Sequence, residues 1–132
     1  MSTEAADVVA EMGKRFTAGD VEGAFALLHP EFRIEQPASL PHGGVHRGRE
    51  GMAAMGALFA RHWDRDIADP RVLGCGPEQA VQVTTQTWTA KETGRARTVD
   101  VVELFTVEGG RVREIRVFQQ DTHALLGTLG DA

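Results

Sequence analysis

Thr98-Val99-Asp100-Val101-Val102-Glu103-Leu104-Phe105-Thr106-Val107 reads as a β-strand, and the rest of the chain can be organised around it. Successive side chains of a strand point to opposite faces. One face then carries Val99, Val101, Glu103, Phe105 and Val107, the other Thr98, Asp100, Val102, Leu104 and Thr106. The first set is apolar except for Glu103. A carboxylate on such a face is costly to bury unless it is paired or protonated. A pocket is one explanation for it; a buried anchor, paired with an arginine or a backbone amide, is the other.

Working outward, strands are expected near Asp66–Leu73, Ala80–Ala90, Arg95–Val107 and Arg111–Gln119. The breaks between them, at residues 74–78, 91–94 and 108–110, are short and glycine-bearing, which implies antiparallel neighbours. Upstream the period is helical. Residues Thr3–Ala18 place Val8 or Val9, Met12 and Phe16 on one side, Gly19 can end that helix, and Asp20 can cap the next, Val21–Leu28. A first strand, Phe32–Gln36, puts Phe32, Ile34 and Gln36 on one face and stops at Pro37. The Gly- and Pro-rich segment Ala38–Gly48 reads as a loop. A third helix is expected over Arg49–Trp63, with Met52, Met55, Leu58 or Phe59, and Trp63 as its apolar stripe. A last helical turn starts at Asp121. Helices followed by a run of strands define an α+β class in which helices pack on one face of a strongly curved, mostly antiparallel sheet. The expected shape is a cone with an interior, built as a single domain over residues 1–132.

The chain has 132 residues, 42% hydrophobic and 25% charged, with a formal net charge of −5, which argues against nucleic acid as a partner. No apolar run approaches a membrane span. Cys75 is the single cysteine, so no intrachain disulfide can form, and the acidic start of the chain lacks a secretory signal. The expected location is the cytoplasm.

Several strings are similar to those of a known family: Ala18–Asp20, Ala26–Phe32, Arg47–Met52, Val102–Val112 and Asp121–Leu126. With the order of elements, they resemble the SnoaL-like domains and ketosteroid isomerases of the nuclear transport factor 2-like superfamily. The resemblance implies a conical pocket between the sheet and the first and third helices, often in a homodimer. Activities in that superfamily include isomerisation, polyketide cyclisation, dehydration and epoxide hydrolysis, and many members have no enzymatic role. The isomerases' aspartate base corresponds to Gln36 here, their tyrosine oxyanion donor to Met12, and their protonated aspartate to Glu103. An aspartate of the epoxide hydrolases falls about at Val117. Neither reaction is simply inherited.

Glu103, His42 and Gln36 are the candidate catalytic residues. A carboxyl group in an apolar cavity can donate a proton near neutral pH. His42, expected in the loop at the cavity mouth, could act with it across a ligand, or could simply be solvated. Gln36 can orient an oxygen but cannot take up a proton at neutral pH. Met12, Phe16, Met55, Phe59, Trp63, Val101, Phe105, Val117 and Gln119 are candidate ligand contacts, or plain core. Trp88 shares a face with Gln82, Thr84 and Gln86, so it is expected on the outer side of the sheet in a dimer contact, with Arg116 and Phe118. No metal site is expected: His42 and His46 flank two glycines rather than sit on a helix, and no third ligand is evident. No cofactor motif or activated nucleophile is present. The expected function is cofactor-free acid–base chemistry on a small hydrophobic, oxygenated molecule such as a polyketide. The alternatives are a non-catalytic binder with the same pocket, or a structural dimer whose pocket is vestigial.

Overall fold

Thr98–Val107 lies within β5 (Ala96–Glu108), and its alternation is visible in the computed structural model, which describes residues 2–130. Val99, Val101, Phe105 and Val107 are buried, whereas Thr98 and Asp100 on the opposite face are exposed. The preceding strand β4 (Gln79–Ala90) buries Ala80, Thr84, Gln86, Trp88 and Ala90, and the following β6 (Arg111–Gln119) buries Val112, Ile115 and Val117. With β1 (Leu28–Gln36), β2 (Gly44–Arg47) and β3 (Trp63–Gly74), these strands form a six-stranded sheet in the order β2-β1-β6-β5-β4-β3. All neighbours are antiparallel except β1 and β6, which run parallel. The sheet is therefore mixed and open, with β2 and β3 at its edges.

Helices α1 (Ala5–Thr17), α2 (Val21–Phe25) and α3 (Gly48–Ala60) cover one face. α1 ends where expected. Gly19 takes a left-handed conformation (φ 78°) that a residue with a Cβ adopts only with strain, and its amide reaches back to the Phe16 carbonyl. Asp20 then accepts a hydrogen bond from the Gly23 amide at 2.9 Å, capping α2. A terminal helix α4 (Thr122–Gly127) is capped in the same way by Asp121, which accepts from the Ala124 amide at 2.9 Å.

The structure corrects the expected elements in three places. α2 is shorter than Val21–Leu28, because Leu28 already belongs to β1 and is buried in the core. The expected loop holds β2, paired with β1 from Gln36↔Gly44 to Arg33↔Arg47. A tight reversal makes this pairing possible, with the Leu40 amide on the Pro37 carbonyl and the Gly43 amide on the Leu40 carbonyl. A Cβ at Gly43 would lie 2.4 Å from the Pro37 carbonyl oxygen, so only glycine fits there. Lastly, α3 stops at Ala60, and Trp63 starts β3 rather than ending the helix. Trp63, Arg65 and Ile67 alternate with aspartates and pair with Ala90, Trp88 and Gln86 of β4, so ladder pairing overrides the helical reading.

β3 also carries a bulge. Ala68 faces Thr85 and Arg71 faces Val83, so Asp69 and Pro70 together oppose one residue, and Asp69 has a positive φ of 52°. The extra residue resets the alternation, which lets both Ile67 and Val72 face the helices.

Candidate functional site

A cavity of about 1130 Å³ lies between the helix-facing side of the sheet and α1, α2 and α3. Val9, Ile34, Val101, Phe105 and Ile115 are buried and line it. Met52 and Met55 line it from α3, none of whose residues is fully buried. Phe16, Val21 and Ile67 line it while remaining 38%, 50% and 52% exposed, which marks them as the rim.

Glu103 borders this cavity from β5. Gln82, its register partner on β4, donates from Nε2 to Glu103 Oε1 at 3.3 Å. Burial pushes the Glu103 carboxyl above the usual carboxylate range, against the pull of the Arg65 guanidinium and the Gln82 hydrogen bond. No salt bridge locks Glu103 to an arginine among the described residues. Space beside a desolvated acid is the arrangement in which a carboxyl group can give up a proton to a ligand.

Gln36, on β1, donates from Nε2 to Met55 Sδ at 3.3 Å, and its Oε1 is buried without a partner. A thioether is a weak acceptor, so this amide is free to turn toward a better one. Gln119, at the end of β6, likewise lines the cavity with a buried, unpartnered Oε1.

His42 is not a solvated residue of the mouth. It is 2% exposed and boxed by Phe59, Trp63 and Trp88, with ring centroids 5.3, 6.0 and 5.8 Å away. The Pro37–Gly43 reversal folds it inward, and its own carbonyl accepts a hydrogen bond from His46 Nε2 at 2.9 Å. Burial, reinforced by Arg65, His46 and His62, lowers its pKa from 6.5 to about 4. The imidazole is thus neutral at physiological pH. Its Nδ1 is buried without a partner. No hydrogen bond or ion pair joins His42 to Glu103, although both line the cavity.

Met12, Phe16, Met55, Val101, Phe105, Val117 and Gln119 also line it, but Phe59 and Trp63 do not. Those two rings stack at 5.6 Å behind His42, and Trp63 Nε1 donates to Thr128 Oγ1 at 2.7 Å, tying β3 to the C-terminal end of the fold. Trp88 is the clearest reversal. It is 1% exposed and lines the cavity, so the polar face of β4 is the inner one. Internal hydrogen bonds make that burial tolerable: Trp88 Nε1 donates to Gln86 Oε1 at 2.9 Å, and Gln86 Nε2 donates to Thr84 Oγ1 at 2.8 Å. Arg116 and Phe118 are exposed on the outer face, as expected.

Arg65 was not singled out by the sequence. It lines the cavity from β3, with Cζ 4.8 Å from the centroid of Phe59. Its side chain keeps accessible surface because it stands over open pocket space, yet enough protein surrounds the guanidinium to disfavour its charge. The signal that could have found it is the Trp63-Asp64-Arg65-Asp66-Ile67 alternation, which reads as strand once Trp63 is released from the helix. Cys75 is exposed, and among the described residues no group of three or more His, Cys, Asp or Glu side chains could hold a metal ion. No helix among them is long and apolar enough to cross a membrane.

A helix-covered, curved mixed sheet with an internal pocket is the architecture of the nuclear transport factor 2-like proteins. Residues 9–115 match the SnoaL-like domain family, and the chain belongs to it. Similar solved structures include a nuclear transport factor 2-like protein of unknown function from Burkholderia pseudomallei K96243, 25% identical over 99% of this chain and 100% of that one, with a TM-score of 0.84. A nuclear transport factor 2-like protein from Burkholderia xenovorans LB400 is 25% identical over 94% of each chain, with a TM-score of 0.82. A candidate polyketide cyclase from Silicibacter sp. TM1040 is 16% identical over 96% of this chain and 94% of that one, with a TM-score of 0.74, and shares the fold. Among curated proteins no match was found.

Proposed function

We propose that the chain is a SnoaL-like enzyme that carries out cofactor-free acid–base chemistry on a small, hydrophobic, oxygen-bearing molecule. The observation that carries this reading is Glu103, an acid whose carboxyl is disfavoured as an anion and which stands beside open space. In the proposed step, protonated Glu103 donates to a ligand oxygen. The His42 imidazole, neutral over the physiological range, is the group able to accept a proton from the ligand, and the Gln36 amide orients its oxygen. Cyclisation, isomerisation and dehydration all use such a donor and acceptor. A cavity of about 1130 Å³ is ample for a drug-sized molecule and weighs against a vestigial pocket.

One observation favours a second reading, a binder without turnover. Met12 and Gln36 stand where the resemblance places an isomerase's tyrosine and aspartate, and the chain contains no tyrosine at all. The Glu103→Gln variant separates the two. For an enzyme, turnover of an accepted polyketide-like or terpenoid substrate is lost while its binding persists; full activity in that variant sinks the catalytic role.

We further propose a homodimer joined through the outer sheet face. Leu73, Val81 and Leu104 are in register across that face, as are Val83, Val102 and Phe118. Leu73 and Phe118 are 55% and 47% exposed. Two adjoining apolar rows of this kind favour a partner surface of the same chemistry.

A further inference from the structure

The acid–base reading leaves two cations at the cavity unused. Apart from His42, three titratable side chains line it: Lys14, Arg65 and Glu103, two basic and one acidic. Lys14 is exposed on α1 near the rim, and among the described residues neither Lys14 nor Arg65 forms a salt bridge. Arg65 is the more informative. Its guanidinium lies over the face of Phe59 with Cζ 4.8 Å from the ring centroid. The donors of a guanidinium lie in its plane, around the edge, and fit two oxygens of one anion. An aromatic face accepts no conventional hydrogen bond, and among the described residues the guanidinium forms no side-chain hydrogen bond, so its donors are left for a ligand in the cavity that Arg65 lines. Glu103 is the acidic side chain that lines the cavity, and it accepts its hydrogen bond from Gln82 rather than from Arg65. An arginine steadied on an aromatic ring, its donors unpaired among the described residues and an apolar chamber beside it, has the form of an anion clasp.

We propose that the pocket takes an amphipathic organic acid, its apolar body against Met52, Met55 and Val101 and its anionic head gripped by the guanidinium of Arg65. A carboxylate or a sulfonate satisfies the fork in the same way, as does an acidic enol with two adjacent oxygens. This inference deepens the preceding one and rests on it for the identity of the site, but it does not require turnover.

Two dyes that differ by one charged group provide the test: 1-anilinonaphthalene-8-sulfonate and its neutral counterpart N-phenyl-1-naphthylamine, titrated by fluorescence against the intact protein. The expected result is binding of both, with the sulfonate the tighter despite its greater cost of leaving water. Arg65→Met should then weaken the sulfonate by roughly tenfold to a hundredfold, the range of a charge-assisted pair, and leave the neutral dye within about twofold. Retention of the neutral dye shows at the same time that the variant is folded. Arg65→Lys, which keeps the charge but not the fork, should fall between. Equal affinity of wild-type protein for the two dyes overturns the proposal. So does an equal loss of both dyes in Arg65→Met, or a loss of sulfonate binding that follows Lys14→Met instead. Binding of neither dye overturns this proposal together with the small-molecule pocket. Loss of turnover without change in dye selectivity, as expected of Glu103→Gln, bears on the acid–base reading alone.

Discussion

Gln82 and Glu103 face each other across the β4–β5 ladder, and the amide of the first donates to the carboxyl of the second at 3.3 Å inside the cavity. That bond favours the charged carboxylate, while burial disfavours it more strongly. Removing the amide with Gln82→Met should move the Glu103 titration still higher. Carbon-13 chemical shifts of the labelled carboxyl group, followed against pH, measure this. A shift downward, or none, would mean that the amide does not govern the acid.

The same acid has a signed effect on stability. A carboxyl whose folded pKa is raised binds its proton more tightly in the native state, so its cost is absent below the unfolded carboxylate pKa and complete above the folded one. Glu103→Gln should therefore raise the melting temperature at pH 8 and lose that advantage by pH 4. Thermal melts of the two proteins at both pH values decide it. An advantage that grows on acidification would reverse the sign.

His42 works in the opposite sense. Its pKa is lowered from 6.5 to about 4, so the unfolded chain binds its proton first and stability falls as pH drops through that window. At pH 4.5 the loss should be on the order of 2 to 3 kcal/mol. His42→Phe, which keeps a ring inside the aromatic box, should show none of this decline. Chemical denaturation of each at pH 7 and 4.5 provides the comparison, made in a Glu103→Gln background to silence the opposing titration.

Trp63 Nε1 donates to Thr128 Oγ1 at 2.7 Å, and both residues are buried. Thr128→Val leaves the indole donor without a partner, at a cost of about 1 to 3 kcal/mol. It should also loosen α4, so proteolysis after Asp121 should accelerate relative to cleavage elsewhere. Unchanged stability would remove the contact from the account of the fold.

The proposed dimer predicts a mass in solution of twice the 14.3 kDa of one chain, measured by light scattering. Phe118→Asp places a charge at the end of an apolar row and should give a folded monomer. A wild-type protein that is monomeric at micromolar concentration would end the proposal.

Much of the fold was legible because its signals are local. The Gly19–Asp20 break, the Asp121 cap and the alternation of Thr98–Val107 each depend on residues close in sequence. What was hidden depends on partners far away. β2 exists because the Pro37–Gly43 reversal returns the chain onto β1, and Trp63 belongs to a strand because β4 pairs with it. Trp88 was placed outside because its face reads as polar; the polarity is absorbed by a chain of bonds through Gln86 and Thr84 that composition does not reveal. For the site, Glu103 was visible as the acid among apolar neighbours, while Arg65 fell in the gap between the helix expected to end at Trp63 and the strand expected from Asp66.

The bulge at Asp69–Pro70 has one more consequence, for solubility. β3 is an edge strand of 12 residues, and its free margin could template the addition of another chain. A proline without an amide hydrogen and a residue with a positive φ interrupt that margin midway, flanked by Asp64, Asp66 and Arg71. The kink that turns Val72 toward the cavity thereby also guards the protein against fibrillar self-association.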